Sequence, residues 1–186
     1  HMKGPATAMG YYQNSTATDA LFSEDGWMKT GDLGFLRQGN LTVTGRSKDI
    51  IIINAQNYAC GHIEQTVARV EGLEPNLTIA CAVRQADSPT DELALFFVPT
   101  TVSVSPTTDV ALLCRQIQRS LVAELGINPR YIVPLQSSEI PRTAVGKVRR
   151  AKLQAQLQAG KFAQRLTAIA RITQASRQAT FSAPAT

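Results

Sequence analysis

No stretch of this sequence is apolar for long enough to cross a bilayer: nothing approaches the roughly 20 residues that a spanning helix requires. The N-terminus also lacks the basic-then-apolar order of a secretory leader. Both absences argue against a membrane partner and against export, and the expectation is a cytoplasmic protein. Cysteine is scarce. Cys60, Cys81 and Cys114 stand singly, without CxxC spacing or a companion pair of histidines, so the expectation is reduced, mostly buried thiols and no metal centre. Acidic residues are missing altogether from Ile140 to the end, where nine basic ones stand: Arg142, Lys147, Arg149, Arg150, Lys152, Lys161, Arg165, Arg171 and Arg177. The net charge of +5 is therefore unevenly placed. A basic tail can meet nucleic acid, an anionic membrane or a phosphorylated ligand. For the residues after Lys152 a solvated helix face is an equally good reading. No aromatics interleave with these charges as they do in a single-strand binder. Nucleic-acid binding thus rests on charge alone and ranks last; it would require steep salt dependence.

What is present is organised around residues 45 to 64, GRSKDIIIINAQNYACGHIE. A charged tetrad, Arg46, Ser47, Lys48 and Asp49, leads straight into four isoleucines, Ile50 to Ile53, a short β-branched run that favours a buried strand over a helix. Asn54 to Asn57 reads as a turn. From Ile63 the apolar spacing Ile63, Val67, Val70 is helical.

Upstream, residues 4 to 44 are punctuated by Gly4, Pro5, Gly10, Gly26, Gly31, Gly34 and Gly39. Leu41 and Val43 alternate as in a short half-buried strand, and with Phe35 and Leu36 before Gln38-Gly39-Asn40 they predict a hairpin. Asp32 stands between two glycines, free to meet a ligand, though an Asp there is also an ordinary turn-former. Downstream, Thr78 to Arg84 and Glu92 to Val98 read as strands separated by Asp87, Ser88 and Pro89. Pro106 to Leu125 carries Val110, Leu113, Cys114, Ile117, Leu121 and Leu125 on one helical face, with Asp109 as a possible N-cap and Gly126 as the stop. Tyr131 to Leu135 is a brief apolar stretch. In order this gives strand, helix, strand, strand, helix, strand, helix: an α+β fold with a small mixed sheet and packed helices. Phe162, Leu166, Ile169 and Ile172 have loosely helical spacing, and the last ten residues read as linker. At 186 residues the chain suits one domain or one and a fraction. His1 and Met2 read as residues left by cloning, and the expectation is a piece of a longer protein.

The loop Ile140 to Arg150, IPRTAVGKVRR, raises Lys147 on a turn that Gly146 opens. A lone lysine in such a loop is usually surface charge, yet it is also a compact cation that developing phosphoryl oxygens could use. Spacing alone leaves both readings open.

GWMKTGDLG, GRSKDIIIINAQNYACGHIE and PRTAVGKVRR, in this order, resemble the closing motifs of the adenylate-forming ligases, which include acyl-CoA synthetases, nonribosomal peptide adenylation domains and luciferases. The resemblance covers about residues 4 to 160. The isoleucine strand, EGLEPN, TDELALFFVP, GINPRYIVP and LQAQLQAGKF look most similar to fatty-acyl-AMP ligases and the adenylation domains that load polyketide synthases. The resemblance implies a two-part enzyme. Residues 3–44 would be the last β-rich piece of a large N-terminal adenylation domain, 45–160 its small α+β lid, and 161–186 a basic helical or disordered linker. By the same resemblance Asp32 would bind the ribose hydroxyls of the adenylate, Arg46 would sit near that ribose, Lys48 would be the hinge and Lys147 the catalytic lysine. The implied chemistry takes a carboxylic acid, ATP with Mg held mainly by the large domain, and the phosphopantetheine arm of an acyl or peptidyl carrier protein. No stretch matches the family's phosphate loop or acyl pocket, so the isolated chain is expected to be inactive.

Three positions depart from the pattern. Ala55 replaces a turn glycine, Cys60 a proline and His62 a glutamate, all in the loop that lines the thioester-forming conformation of the family. His62 reads as a structural helix-start residue or a general base, Cys60 as a buried or a reactive thiol. The departures also leave room for a second reading, a lid-derived interaction module that binds a carrier protein or neighbouring domain without chemistry.

Overall fold

The computed structural model describes residues 1–85, 88–100 and 106–171, and of 106–109 the backbone only. The chain divides into two compact units, His1–Lys48 and a second beginning at Asp49.

In the first unit a short helix, α1 (Ser15–Leu21), starts where the Asn14 side chain accepts from the Ala17 amide at 3.0 Å. Then β1 (Asp32–Arg37) and β2 (Asn40–Arg46) pair antiparallel, from Asp32 opposite Arg46 to Arg37 opposite Asn40. The two turn residues, Gln38 and Gly39, are both left-handed at φ 50° and 79°, as a two-residue hairpin of right-handed twist requires. The register slips between Leu33 and Gly34, where a Cβ on Gly34 would lie 2.5 Å from the Thr42 carbonyl oxygen. The expected hairpin is present, but Leu41 and Val43 are 67% and 61% exposed, not half-buried. Alternation predicted a face without saying what covers it, and within this unit nothing does.

A 3₁₀ turn (Ser47–Asp49) spans the border, and the second unit then forms a hairpin, β3 (Ile50–Ile53) and β4 (Gln56–Ala59). The turn is thus Asn54-Ala55 alone, and Gln56 and Asn57 belong to a strand that polarity had hidden. α2 (Cys60–Val67) buries Ile63 and Val67, one turn apart. Val70 packs on the core from beyond its end. A three-stranded sheet follows in the order β5 (Leu73–Val83), β6 (Glu92–Pro99), β7 (Tyr131–Pro134), with β5 antiparallel and β7 parallel to β6. The parallel return is made through α3 (Pro106–Leu125). Because α3 begins at Pro106, Asp109 lies in its first turn and not before it; proline suits that start because its missing N–H would have no helical partner. α4 (Arg150–Gln158) comes next, and residues 163–171 form a further helical segment, α5. Ile172 and the final stretch lie outside the described residues.

β6 is the centre. Leu93, Leu95 and Phe97 point into one apolar cluster with Ile51, Ile63, Val67, Cys114, Ile117 and Leu121. Ala94, Phe96 and Val98 point into the other with Val133, Leu153, Leu157 and Phe162. Period-two alternation with helices on both faces makes an unbroken apolar run, which is why ELALFFV reads as a strand. Phe162 meets Phe96 edge-on, with ring centroids 5.7 Å apart. This is the α+β arrangement that the order of elements predicts. β3 is attached to it by Thr90 and Asp91. Ile52 donates its amide to Asp91 Oδ2 and accepts from the Asp91 amide, both at 2.8 Å, while the Asn54 amide donates to Thr90 Oγ1 at 2.9 Å. Among the described residues no helix is long and apolar enough to cross a membrane.

Candidate active site

The predicted residues fall in both units. In the first, the hairpin register sets Asp32 at the start of β1 opposite Arg46 at the end of β2. The Arg46 Nε donates to Asp32 Oδ1 at 2.9 Å, and its Nη2 donates to the Thr30 carbonyl at 3.0 Å. The pair is roughly half exposed, and among the described residues Asp32 Oδ2 has no partner. The arrangement is a carboxylate held in orientation by a guanidinium, with one oxygen left to accept from a hydroxyl. Ser47 anchors the following turn, donating through both its amide (2.8 Å) and its hydroxyl (3.2 Å) to the Gly31 carbonyl. Lys48, exposed, is the last residue of the unit.

In the second unit Lys147 stands on a small closed loop. Arg142 bridges to Val148, the Thr143 amide donates to the Lys147 carbonyl at 2.8 Å, and the Lys147 amide donates to Thr143 Oγ1 at 3.1 Å. Gly146 takes φ +80°, where a side chain would be strained, and its carbonyl accepts from Arg142 Nη1 at 2.8 Å. The loop backbone is thus tied at every corner, while the Lys147 ammonium is exposed and, among the described residues, unpaired. That combination presents a mobile cation from a fixed base.

The residues of the departing loop are divided. Cys60 is buried at the start of α2, and burial pushes its thiol up to about 11; burial likewise raises Cys81 and Cys114 to about 12. All three are therefore protonated, poorly nucleophilic thiols. His62 lies exposed in the first turn of α2. Ala55 adopts φ 63° in its turn. Among the described residues no group of three His, Cys, Asp or Glu could hold a metal ion.

Three polar ties were not expected. Glu64 Oε1 accepts from Arg150 Nη2 at 2.6 Å and from the Ala80 amide at 2.9 Å. Asp91 Oδ1 accepts from Arg84 Nε at 2.8 Å. Arg165 forks onto both oxygens of Glu139 at 2.7 and 2.9 Å and also donates to the Pro134 carbonyl, so it is no solvated charge. Their sequence signal was weak: Glu64 adjoins the buried Ile63, and Arg165 follows the buried Phe162 by three residues.

No protein-family model matches the chain. Among curated proteins it is 33% identical over 164 residues to the nonribosomal peptide synthetase btyA of Aspergillus terreus, covering 87% of this chain and 17% of that protein. It is 29% identical over 187 residues to the atromentin synthetase greA of Suillus grevillei, covering 100% of this chain and 20% of that protein. The chain thus spans about a fifth of the length of these relatives. Among solved structures, the multidomain structure of a keto acid-selecting NRPS module matches at TM-score 0.79 and 40% identity, over 90% of this chain and 14% of that one. McyG A-PCP complexed with phenylalanyl-adenylate matches at 0.78 and 36%, over 91% and 26%. Fatty acyl-adenylate ligases from E. coli and L. pneumophila match at 0.70 and 29%, over 87% and 28%. With the three ordered motifs and the α+β fold, these likenesses place the chain among the adenylate-forming enzymes, as a C-terminal portion of an adenylation domain.

Proposed function

We propose that this chain is the end of an AMP-forming carboxylate ligase which activates an acid with ATP and passes the acyl group to the phosphopantetheine thiol of a carrier protein, in the cytoplasm. On this reading residues 3–44 end the large domain, 45–160 form the lid, 161–186 lead onward, and the lid turns about Lys48, beside which the two compact units divide. The apolar side chains that β1 and β2 leave exposed, Leu36 74%, Leu41 67% and Val43 61% accessible, are what a strip belonging to a larger core presents.

The observation that carries the reading is the Lys147 loop, a free ammonium on a rigid turn. In the first half-reaction a carboxylate oxygen attacks the α-phosphorus of ATP, and the bond from that phosphorus to the pyrophosphate oxygen breaks. Two anions are forced together, and Lys147 offsets their repulsion as charge builds. Asp32, oriented by Arg46, accepts from the ribose hydroxyls through its free oxygen. Magnesium would be held mainly by the remainder of the enzyme and would supply further positive charge against the phosphates of the nucleotide. In the second half-reaction the thiol sulfur attacks the acyl carbonyl and AMP leaves, a step that does not use Lys147.

The test is acid-dependent ATP–pyrophosphate exchange by the intact ligase and its Lys147→Ala variant, over fatty, keto and amino acids. Loss of about 10²- to 10³-fold in the variant is expected; unchanged exchange would refute the assignment, as would adenylation by the isolated chain. The acid panel decides a finer point. Motif likeness favours fatty acids, whereas the 40% identical structure belongs to a keto acid-selecting module. The second reading, a lid-derived interaction module without chemistry, rests on the departures at Ala55, Cys60 and His62. No exchange with any acid by a folded protein would favour it.

A further inference from the structure

We infer that Glu64 is a positioning residue for the adenylation step: through Arg150 it holds the stem of the Lys147 loop at a fixed orientation on the lid. The inference rests on the assignment of Lys147 above and adds to it a residue from a different part of the fold.

The ties within the loop are local. Arg142 pairs with Val148, Thr143 with Lys147, and the Arg149 amide donates to the Pro141 carbonyl at 2.8 Å. They set the shape of the loop but not its direction relative to the sheet. Direction comes from Ile140 and Val148, which pack the two ends of the loop on the apolar cluster, and from a polar tie where the loop enters α4. α4 is seated by Leu153, at the end of its first turn, and by Leu157, both buried in the cluster that contains Phe96. At that first turn stands Arg150, three residues beyond Lys147, and its guanidinium donates to Glu64 Oε1 at 2.6 Å. The same oxygen accepts from the Ala80 amide of β5, so Glu64 is itself fixed to the central sheet. The Cys81 thiol, next along β5, lies 3.8 Å from the Arg150 carbonyl. Glu64 and Arg150 are only 20% and 31% exposed, so solvent weakens their attraction less than it does at an open surface. Burial draws the Arg150 guanidinium down, and the Glu64 carboxylate and the charge of Asp49 more than offset this.

The consequence is mechanical. A lysine side chain is long, so a small tilt at its base displaces the ammonium further, and a misplacement of about 1 Å at a reacting centre can cost about 10²-fold. Glu64 lies on α2, so the tie links that helix and β5 to the first residue of α4, three residues beyond Lys147.

The experiment uses the intact ligase and four variants: Glu64→Gln, Arg150→Lys, Lys147→Ala, and Glu64→Gln combined with Lys147→Ala. Gln keeps an acceptor for the Ala80 amide while removing the charge that Arg150 pairs with. Lys keeps the charge but not the planar fork. Each protein is measured for pyrophosphate exchange, for transfer of a pre-formed acyl-adenylate to the carrier thiol, and for its unfolding midpoint. Expected are losses of about 10- to 100-fold in exchange for Glu64→Gln and a smaller loss for Arg150→Lys, with thiol transfer within about twofold of the parent. On the Lys147→Ala background Glu64→Gln should add nothing further, because it acts through that lysine. Normal exchange in Glu64→Gln and Arg150→Lys, beside a dead Lys147→Ala, overturns the positioning role and leaves the catalytic one standing. Equal loss in both half-reactions, tracking a lowered midpoint, shows a merely structural residue and overturns it too. Normal exchange in Lys147→Ala removes both assignments together.

Discussion

Ala55 sits at φ 63° behind Asn54 at φ 49°, the pair of left-handed residues that joins β3 to β4. Asparagine tolerates this region because its short polar side chain can bond locally, whereas alanine sets its Cβ against the following carbonyl at a cost of about 1–2 kcal/mol. The turn survives because its surroundings hold it: Thr90 Oγ1 accepts from the Asn54 amide, and Asp91 takes both backbone groups of Ile52. Replacing Ala55 by Gly removes the clash at some loss of unfolded-state restriction, and the net effect expected is a stabilisation of about 1 kcal/mol. Urea unfolding of this chain and the variant checks it: the midpoint should rise with the slope unchanged, and a lower midpoint would show that the turn is not strained.

At the scale of elements, α5 is held by one polar fork as well as by apolar packing. Arg165 binds both oxygens of Glu139, Leu166 packs against the cluster around Phe96, and Ile169 against the cluster on the other face. The Arg165 hydrogen bonds hold the Glu139 carboxyl below the usual carboxylate range. A depressed folded-state pKa contributes stability that is present above the unfolded value and lost as pH falls through the folded one. Amide exchange across residues 163–171, corrected for its intrinsic pH dependence, should therefore quicken below about pH 4, and Glu139→Gln should exchange fast at every pH. Equal protection in the variant and the parent would discard the tie. The same region shows why some elements are legible in sequence and others are not. β6 and α3 declare themselves through apolar period, because each buries enough area to impose it. β4 does not, since QNYA is polar and owes its strand to pairing with the isoleucines. Membership of Asp32 and Arg46 in ordered motifs is legible, but their ion pair is not: it depends on a hairpin register and on the bulge at Gly34. Glu64 and Arg150 lie 86 residues apart, and no local pattern announces that they meet.

For the molecule as a whole, every buried apolar side chain among the described residues lies at Ile51 or beyond, whereas Tyr12, Phe35, Leu36, Leu41 and Val43 before it are each more than half exposed. Burial of apolar area is the main term favouring folding, so the cooperative stability of this chain resides in the unit that begins at Asp49. A protein starting there should melt within about 4 °C of the full chain, a shift of the size that about 1 kcal/mol gives a domain of this length. Residues 1–48 alone should show little fixed structure, since a lone hairpin with no covered face is marginal in water. Circular dichroism melts of the two pieces decide the matter. A fall of more than about 10 °C on removing residues 1–48 would mean that the first unit contributes several kcal/mol to the fold, and that its apolar strip is not waiting for cover from elsewhere in the enzyme.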